Sequence, residues 1–355
     1  MDIQQLMELA VQQGASDLHL LVDTKPTLRI HGKLVAVEQA PVLTNQIAQN
    51  MALSLMSETQ RQLFINNKEL DFSFQYLDKA RFRVNAYFQR ANASLALRLI
   101  NSKIQSVEEL KLPAVCHEIT KLKQGFVLVT GPTGSGKSTS LAAMIEEINQ
   151  SRAEHIITIE DPIEYLYQQK KSIISQREMN QDTHSWSVAL KSVLREDPNV
   201  VLVGEMRDYE TIAAALTVAE TGHLVLATLH TNSAAQTVDR IIDVFPENQQ
   251  PQVRNQLAMS LEAVFAQRLI PAVAGGRIPV MEVMLATAAI RNTIREGKAY
   301  QIDNIIQTSG AMGMMTLEAS LAYWVKAGAI SFDVAREYAL KPEELNRLMS
   351  KQAEG

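Results

Sequence analysis

A chain of 355 residues exceeds the roughly 250 at which single hydrophobic cores stop growing, so it has room for two domains. Its 46% hydrophobic and 21% charged content is globular, and a net charge of −5 with pI near 5.9 speaks against nucleic acid as ligand, since proteins that track phosphates carry a basic excess. The lone Cys116 excludes an internal disulfide and a thiolate zinc site; Met1-Asp2-Ile3-Gln4-Gln5 lacks the start of a secretory signal, and no run of about 18 apolar residues could span a bilayer. A cytoplasmic protein is expected, with any membrane association made through a partner.

Residues 1–13 put Ile3, Leu6, Met7, Ala10 and Val11 on one helical face, with Gly14 as the stop. Strand-like alternation follows in 16–20 and 27–30, and His31-Gly32 turns tightly into 33–37. Helical patterning covers about 45–64. Segments 71–74, 81–88 and 94–100 alternate again. In the second, Phe82, Val84, Ala86 and Phe88 share one face, which forces Arg81 and Arg83 onto the other; in the third, Leu95, Leu97 and Leu99 oppose Arg98. Residues 1–100 therefore read as an α+β domain whose sheet carries arginines on its non-core face. Taken alone, those arginines are solvated surface charge. Residues 101–113 lack periodicity and read as the interdomain connection, and a helix over about 114–123 opens the second domain, 114–355.

That domain begins with the apolar run Phe126-Val127-Leu128-Val129, followed by Gly131-Pro132-Thr133-Gly134-Ser135-Gly136-Lys137-Ser138-Thr139 and a helical start at Leu141-Ala142-Ala143-Met144-Ile145. Gly131, Gly134 and Gly136 let the backbone bend into a nest of amide hydrogens, and the following helix points its positive end at the same anion. Lys137 reaches the β- and γ-phosphates, and the Ser138 hydroxyl is the candidate Mg²⁺ ligand. Strand, loop and helix in this order predict a nucleoside triphosphate site. Beyond it the runs 155–160, 200–204 and 223–229 alternate with helical stretches such as 186–194 and 208–220, the last capped by Asp208 and ended by Gly222. Such alternation predicts an α/β fold with a doubly wound parallel sheet. Past Pro246 the pattern reads as helix over about 250–269, a strand at 278–284, and helices near 287–296, 299–307, 316–326 and 331–339.

In an open parallel sheet the ligand sits at the carboxyl ends of the strands. Val203-Gly204-Glu205 ends a buried run in a carboxylate, which makes Glu205 the first choice to polarise an attacking water. Glu160, Asp161 and Glu164 end another run, and any of them could hold Mg²⁺ through water. His223 and His230 bracket 224–229: His230 lies at the carboxyl end, where a γ-phosphate would be sensed, and His223 at the opposite end. Charge on the γ-phosphoryl oxygens calls for arginine; Arg81, Arg83 and Arg98 compete with Arg195, Arg207 and Arg240. Segment 289–296 is an amphipathic helix opposing Ile290 and Ile294 to Arg291 and Arg295.

Together these motifs resemble the secretion-type hexameric ATPases, and within them the branch that retracts type IV pili. The matching pieces are Ala15-Ser16-Asp17-Leu18-His19-Leu20, the loop 131–139, Ile159-Glu160-Asp161-Pro162-Ile163-Glu164-Tyr165, Val203-Gly204-Glu205-Met206-Arg207-Asp208, the histidine box from His223 to Asn232, and 289–296. The resemblance implies a PAS-like N-terminal domain, a RecA-like C-terminal domain with added helices over about 286–355, ATP and Mg²⁺ as cofactors, and a homohexamer that hydrolyses ATP. It implies Glu205 as catalytic glutamate, Glu164 as acidic-box carboxylate, His230 and His223 as the histidine pair, Arg81, Arg83 and Arg98 as arginines that reach the phosphates, and 289–296 as the element tied to retraction. Implied partners are a pilus platform protein of the inner membrane and an accessory retraction ATPase. Extension and type II secretion relatives carry an extra N-terminal domain and a four-cysteine zinc insertion, whereas this chain starts at the short helix and has only Cys116. Retraction is therefore expected, with an accessory retraction paralogue as the alternative and a ring translocase on nucleic acid as a more distant one. The departures are Arg195-Glu196-Asp197-Pro198-Asn199, where Arg-Gln-Asp-Pro-Asp is common, and Thr293, where leucine is usual.

Overall fold

The structure, a computed structural model, describes residues 1–30, 32–77, 79–100 and 104–350. His31 of the expected tight turn and 101–103 of the expected connection lie outside the described residues. Two compact units emerge: Met1–Lys103 with Pro162–Leu166, and Ile104–Asp161 with Tyr167–Gly355.

The first unit opens with α1 (Ile3–Gln12), started by a reciprocal cap in which the Asp2 carboxylate accepts from Gln5 N at 2.8 Å and the Gln5 side chain accepts from Asp2 N at 3.0 Å. It buries Ile3, Leu6, Met7 and Ala10. Then come β1 (Asp17–Leu20), β2 (Thr27–Ile30), β3 (Lys33–Ala36), α2 (Asn45–Ser54), α3 (Glu58–Asn67), β4 (Glu69–Tyr76), β5 (Ala80–Gln89) and β6 (Asn92–Ile100). The helical pattern of 45–64 is two helices, because Ser57 and Gln60 form a second capping box that restarts the helix. Neighbouring strands run antiparallel in the order β3-β2-β1-β6-β5-β4. Leu18, Leu20, Phe82, Val84, Leu95 and Leu97 fill the core from one sheet face. The pleat leaves Arg81, Arg83 and Arg98 on the other.

The second unit holds α4 (Val115–Ile119), β7 (Gly125–Thr130), α5 (Lys137–Ser151), β8 (His155–Glu160), β9 (Ile173–Glu178), α6 (Trp186–Val193), β10 (Val200–Val203), α7 (Tyr209–Glu220), β11 (Leu224–Leu229), α8 (Ala234–Asp243), α9 (Gln250–Ser260), β12 (Leu261–Pro271) and β13 (Arg277–Leu285). After these come α10 (Ala288–Arg295), α11 (Ile302–Thr308), α12 (Leu317–Lys326), α13 (Phe332–Tyr338) and α14 (Pro342–Ser350). The sheet order is β13-β12-β7-β11-β10-β8-β9, parallel but for the antiparallel β12–β13 pair. Successive residues of the central strands feed opposite cores: Phe126, Leu128, Val201, Val203 and Val225 one, Val127, Val129, Val200, Leu202 and Leu224 the other. Burial on both faces explains why these strands read as unbroken apolar runs.

Four segments differ from the pattern in the sequence. The helix expected over 250–269 stops at Ser260, and the chain continues as β12, which pairs in parallel with β7. That run is apolar enough for either state, and the open edge of β7 decides it. Residues 104–113, read as connection, belong to the second unit, where Val107 and Leu112 are buried beside Cys116 and Val127. The polar strand β9 and the short helix α14, neither expected from the sequence, complete the list.

Burial in that cluster, with the charge of Glu147 adding to it, pushes the Cys116 thiol up to about 12. The folded protein should therefore resist a maleimide at pH near 8 and react only once unfolded. Rapid labelling of the native state would contradict the packing of 104–119.

Candidate nucleotide site

Strand β7 leaves the sheet at Thr130, and Gly131 follows with φ of +140°. A Cβ there would lie 2.2 Å from the carbonyl oxygen of Gln267, so only glycine allows this approach. Gly136, at φ +87°, ends the loop and precedes α5 with no side-chain cap. The first-turn amides of that 15-residue helix are thus left for an anion. Lys137 is buried and donates from Nζ to the Gly131 carbonyl at 2.8 Å and the Pro132 carbonyl at 3.1 Å. These bonds hold the ammonium inside the curve of the loop. Pro132, Thr133, Gly134 and Ser138 are exposed, Thr139 is half-buried and Ser135 is buried. An open cavity of about 460 Å³ adjoins Gly136 and Thr139, with Leu110, Leu269 and Ile278 as apolar wall and Glu109, Lys111, Gln267 and Arg277 as polar wall. Its size and mixed walls suit a nucleoside.

A residue absent from the sequence-level candidates holds the loop from behind. Gln267 on β12, 2% exposed, donates from Nε2 to the Ser135 carbonyl and accepts at Oε1 from the Ser140 hydroxyl, both at 2.7 Å. Placing 250–269 in a helix hid it; the available signal was an uncharged polar residue, next to Arg268, inside the otherwise apolar run 263–270.

The second group forms where β10 ends. Gly204 donates to the Ile159 carbonyl at 2.8 Å, and a Cβ there would meet that oxygen at 3.2 Å and the Trp186 ring at 3.4 Å. Thr228 donates its hydroxyl to the Gly204 carbonyl at 2.5 Å, and Met206 N donates to the Thr228 carbonyl at 3.1 Å. Glu205 is thereby fixed between two anchored peptides. Its side chain, 16% exposed, forms an ion pair with Arg207 Nε at 2.7 Å, and His230 Nε2 lies 3.7 Å from its other oxygen, beyond hydrogen-bond reach. Arg207 and His230 are themselves 73% and 46% exposed, so the carboxylate is the sheltered member of the three.

The other expected residues separate. Glu160 is buried and accepts from the Thr158 hydroxyl at 2.7 Å and Gln176 Nε2 at 3.3 Å, which engages it within the sheet. Glu164 is exposed and lies in the segment Pro162–Leu166, which groups with the first unit. His223 stands before β11, its Nδ1 within 3.0 Å of the Thr221 hydroxyl and the Val218 carbonyl, at the opposite end of that strand from His230. Arg195 is exposed. In the first unit, Arg81 donates to the Ser73 hydroxyl, and exposed Arg83 stands directly opposite Arg98 across β5 and β6. Like charges in that register repel. Asp17 relieves them in part, taking Arg98 Nε at 2.9 Å on one oxygen and Arg29 Nε at 3.6 Å on the other. Burial works against its charge, but the Ser16 hydroxyl and Arg98 outweigh it and hold the carboxyl below its ordinary range. On α10, Arg291 donates to the Ala258 and Met259 carbonyls at 2.9 and 3.0 Å and pairs with Glu262 at 2.8 Å, while Thr293 is buried beside Ile290 and Ile294.

Among the described residues no group of three or more His, Cys, Asp and Glu could hold a metal ion. A donor set of one exposed hydroxyl, Ser138, suits an ion that keeps most of its water, as Mg²⁺ does.

Comparison with known proteins matches residues 1–274 to the family described as Type II/IV secretion system protein (T2SSE). The chain is 48% identical over 343 residues to the Type IV pilus retractation ATPase PilT of Pseudomonas aeruginosa, which covers 97% of this chain and 99% of that protein. It is 40% identical over 352 residues to the Type IV pilus ATPase PilU of the same organism, covering 99% and 92%. The crystal structure of the pilus retraction motor PilT with bound ADP aligns at a TM-score of 0.92 and 44% identity, covering 98% of this chain and 99% of that one. The fold class expected from the sequence, α/β with a parallel sheet and helical parts, agrees with that likeness.

Behind the His230 segment, the buried Glu282 of β13 accepts from Ala234 N, the first amide of α8, at 2.7 Å. Burial pushes its carboxyl from 4.5 up to about 7; the Ala234 bond opposes this, and the charges of Asp303 and Glu318 add to it. The unfolded chain sheds this proton near 4.5 while the folded one keeps it to about 7, so this group's contribution to stability declines as pH rises across that window and is level above it. Glu282→Gln keeps the acceptor without the charge. Its thermal midpoint should exceed that of the wild type at pH near 8, with the gap closing toward pH 5; a gap independent of pH would contradict the assignment.

Proposed function

We propose that this chain, which belongs to the Type II/IV secretion system protein family, is an ATP-hydrolysing motor of type IV pilus retraction. One observation carries the reading: a glycine nest with a buried lysine and a sheltered strand-end glutamate, in a chain that a retraction ATPase matches along nearly its whole length. The higher identity to the retraction ATPase than to PilU favours the principal over the accessory motor.

In this reading the triphosphate lies on the amides of 131–139 and the nucleoside enters the cavity beside Gly136 and Thr139. Lys137 exchanges its loop carbonyls for β- and γ-phosphate oxygens. Ser138 holds Mg²⁺, which when bound neutralises charge on the β- and γ-oxygens. Glu205, steadied by Arg207, accepts a proton from the attacking water, and His230 senses whether a γ-phosphoryl group is present. Arg81, Arg83 and Arg98 are the cations that meet the developing charge. The unfavourable like-charge register of Arg83 and Arg98 supports this, since a bound anion would relieve it. Glu164 and His223 keep the acidic-box and histidine-box roles that the resemblance implies. A homohexameric ring passes the cycle between subunits and turns the rearrangements of binding and product release into pull on a pilus. The motor works from the cytoplasm at the inner membrane, held by a platform protein and joined by an accessory ATPase. No helix among the described residues is long and apolar enough to cross a membrane.

Lys137→Ala should abolish both ADP binding and turnover. Glu205→Gln should bind ATP about as well as the wild type while turnover falls on the order of 10²- to 10⁴-fold. Wild-type hydrolysis by either variant, measured as phosphate release with Mg²⁺, would remove the site. Deleting the gene in its host should leave pili that extend but do not withdraw; loss of pili altogether would reverse the direction of the motor.

A further inference from the structure

Gln267 touches the phosphate loop at three places. Its backbone carbonyl borders Gly131, its Nε2 holds the Ser135 carbonyl at 2.7 Å, and its Oε1 accepts from Ser140 in the first turn of α5, also at 2.7 Å. Register fixes its place, because β12 runs parallel to β7 with Ala266 beside Thr130, one residue before Gly131. The Ser135 carbonyl fixes which way the carboxamide faces, because it can only accept: the NH₂ group is turned to it, and Oε1 is left to accept from the Ser140 hydroxyl.

A trans peptide is planar, so its C=O and N–H point in opposite directions. Drawing the Ser135 carbonyl toward β12 therefore turns the Gly136 N–H away from β12. Gly136 adopts φ +87° and lacks a side chain, so its own torsions resist rotation of this plane only weakly. We propose that Gln267 is a positioning residue for phosphate recognition: it pins the Ser135–Gly136 peptide so that the Gly136 amide is presented to a di- or triphosphate before the ligand arrives. This rests on reading 131–139 as the nucleotide site. Preorganisation of this kind improves affinity by removing the ordering that binding would otherwise require. The phosphates gain more from it than the nucleoside does: Gln267 also lines the cavity beside Gly136, but its hydrogen bonds go to Ser135 and Ser140 around the loop that receives phosphate.

The test uses the full-length protein and a fluorescent ADP analogue, displaced by ADP, by inorganic pyrophosphate and by adenosine. Gln267→Met removes both bonds at similar volume and should weaken ADP and pyrophosphate in parallel, about five- to tenfold, the size of one lost hydrogen bond, while adenosine, which meets Gln267 only as part of the cavity wall, weakens less than about twofold. Gln267→Glu keeps the acceptor for Ser140 but sets an oxygen against the Ser135 carbonyl, so it should weaken both at least as much. Ser140→Ala, which frees the carboxamide to turn, should cost two- to threefold alone and nothing further in the Gln267→Met background; it carries the test if Gln267→Met does not fold. Unaltered pyrophosphate affinity in these variants overturns the inference, as does an equal loss of adenosine and pyrophosphate affinity, which would mean general loosening. A wild-type protein that binds no ADP overturns the site itself and this inference with it, whereas wild-type binding with unaltered variants overturns this inference alone.

Discussion

A strand buried on both faces carries a polar side chain only where a partner meets it, as the Gly204 carbonyl meets Thr228, and this constraint sets where chemistry occurs in the second unit. β7, β10 and β11 are buried throughout, each feeding two separate cores with alternate residues. Polar function is confined to the points where these strands stop: Gly131 after β7, Gly204-Glu205 after β10 and His230 after β11. Because the strands are parallel, those three ends lie on one edge of the sheet. A phosphate-binding loop, a carboxylate and an imidazole are thus gathered by topology before any of them makes a contact.

The glycines at these exits serve a second purpose. Gly131 admits the Gln267 carbonyl, and Gly204 admits the Ile159 carbonyl and the Trp186 ring, so each exit is clamped by the neighbouring strand. Glu205 is held by its flanking peptides, and the nest is braced by β12. The result is a site whose polar groups are positioned by backbone packing, with exposed Arg207 and His230 as its movable members. The first unit builds its charged surface by another route: antiparallel register sets Arg83 against Arg98, and one carboxylate, Asp17, balances part of that charge.

Much of this was legible in the sequence because it rests on local rules. The nest needs glycines at fixed spacing, the central strands need apolar runs, and the arginines of β5 and β6 follow from a period of two. What was not legible depends on partners distant in the chain. Leu261–Pro271 is a strand because β7 has an open edge, and Gln267 matters only through Ser135 and Ser140, more than 120 positions away. Residues 104–113 looked like a connection because two buried side chains, Val107 and Leu112, are too few to make a period. Among the strand-end carboxylates, composition could not separate Glu160 from its neighbours; Thr158 and Gln176 do so by engaging it.

The most direct measurement is a structure of the full-length protein with Mg²⁺ and a non-hydrolysable ATP analogue. The account predicts the β- and γ-phosphates against the amides of Gly134–Lys137, Lys137 turned from its loop carbonyls to phosphate, and a water held by Glu205 in line with the γ-phosphorus. A triphosphate bound away from this loop, or Glu205 turned away from the γ-phosphate, would contradict it.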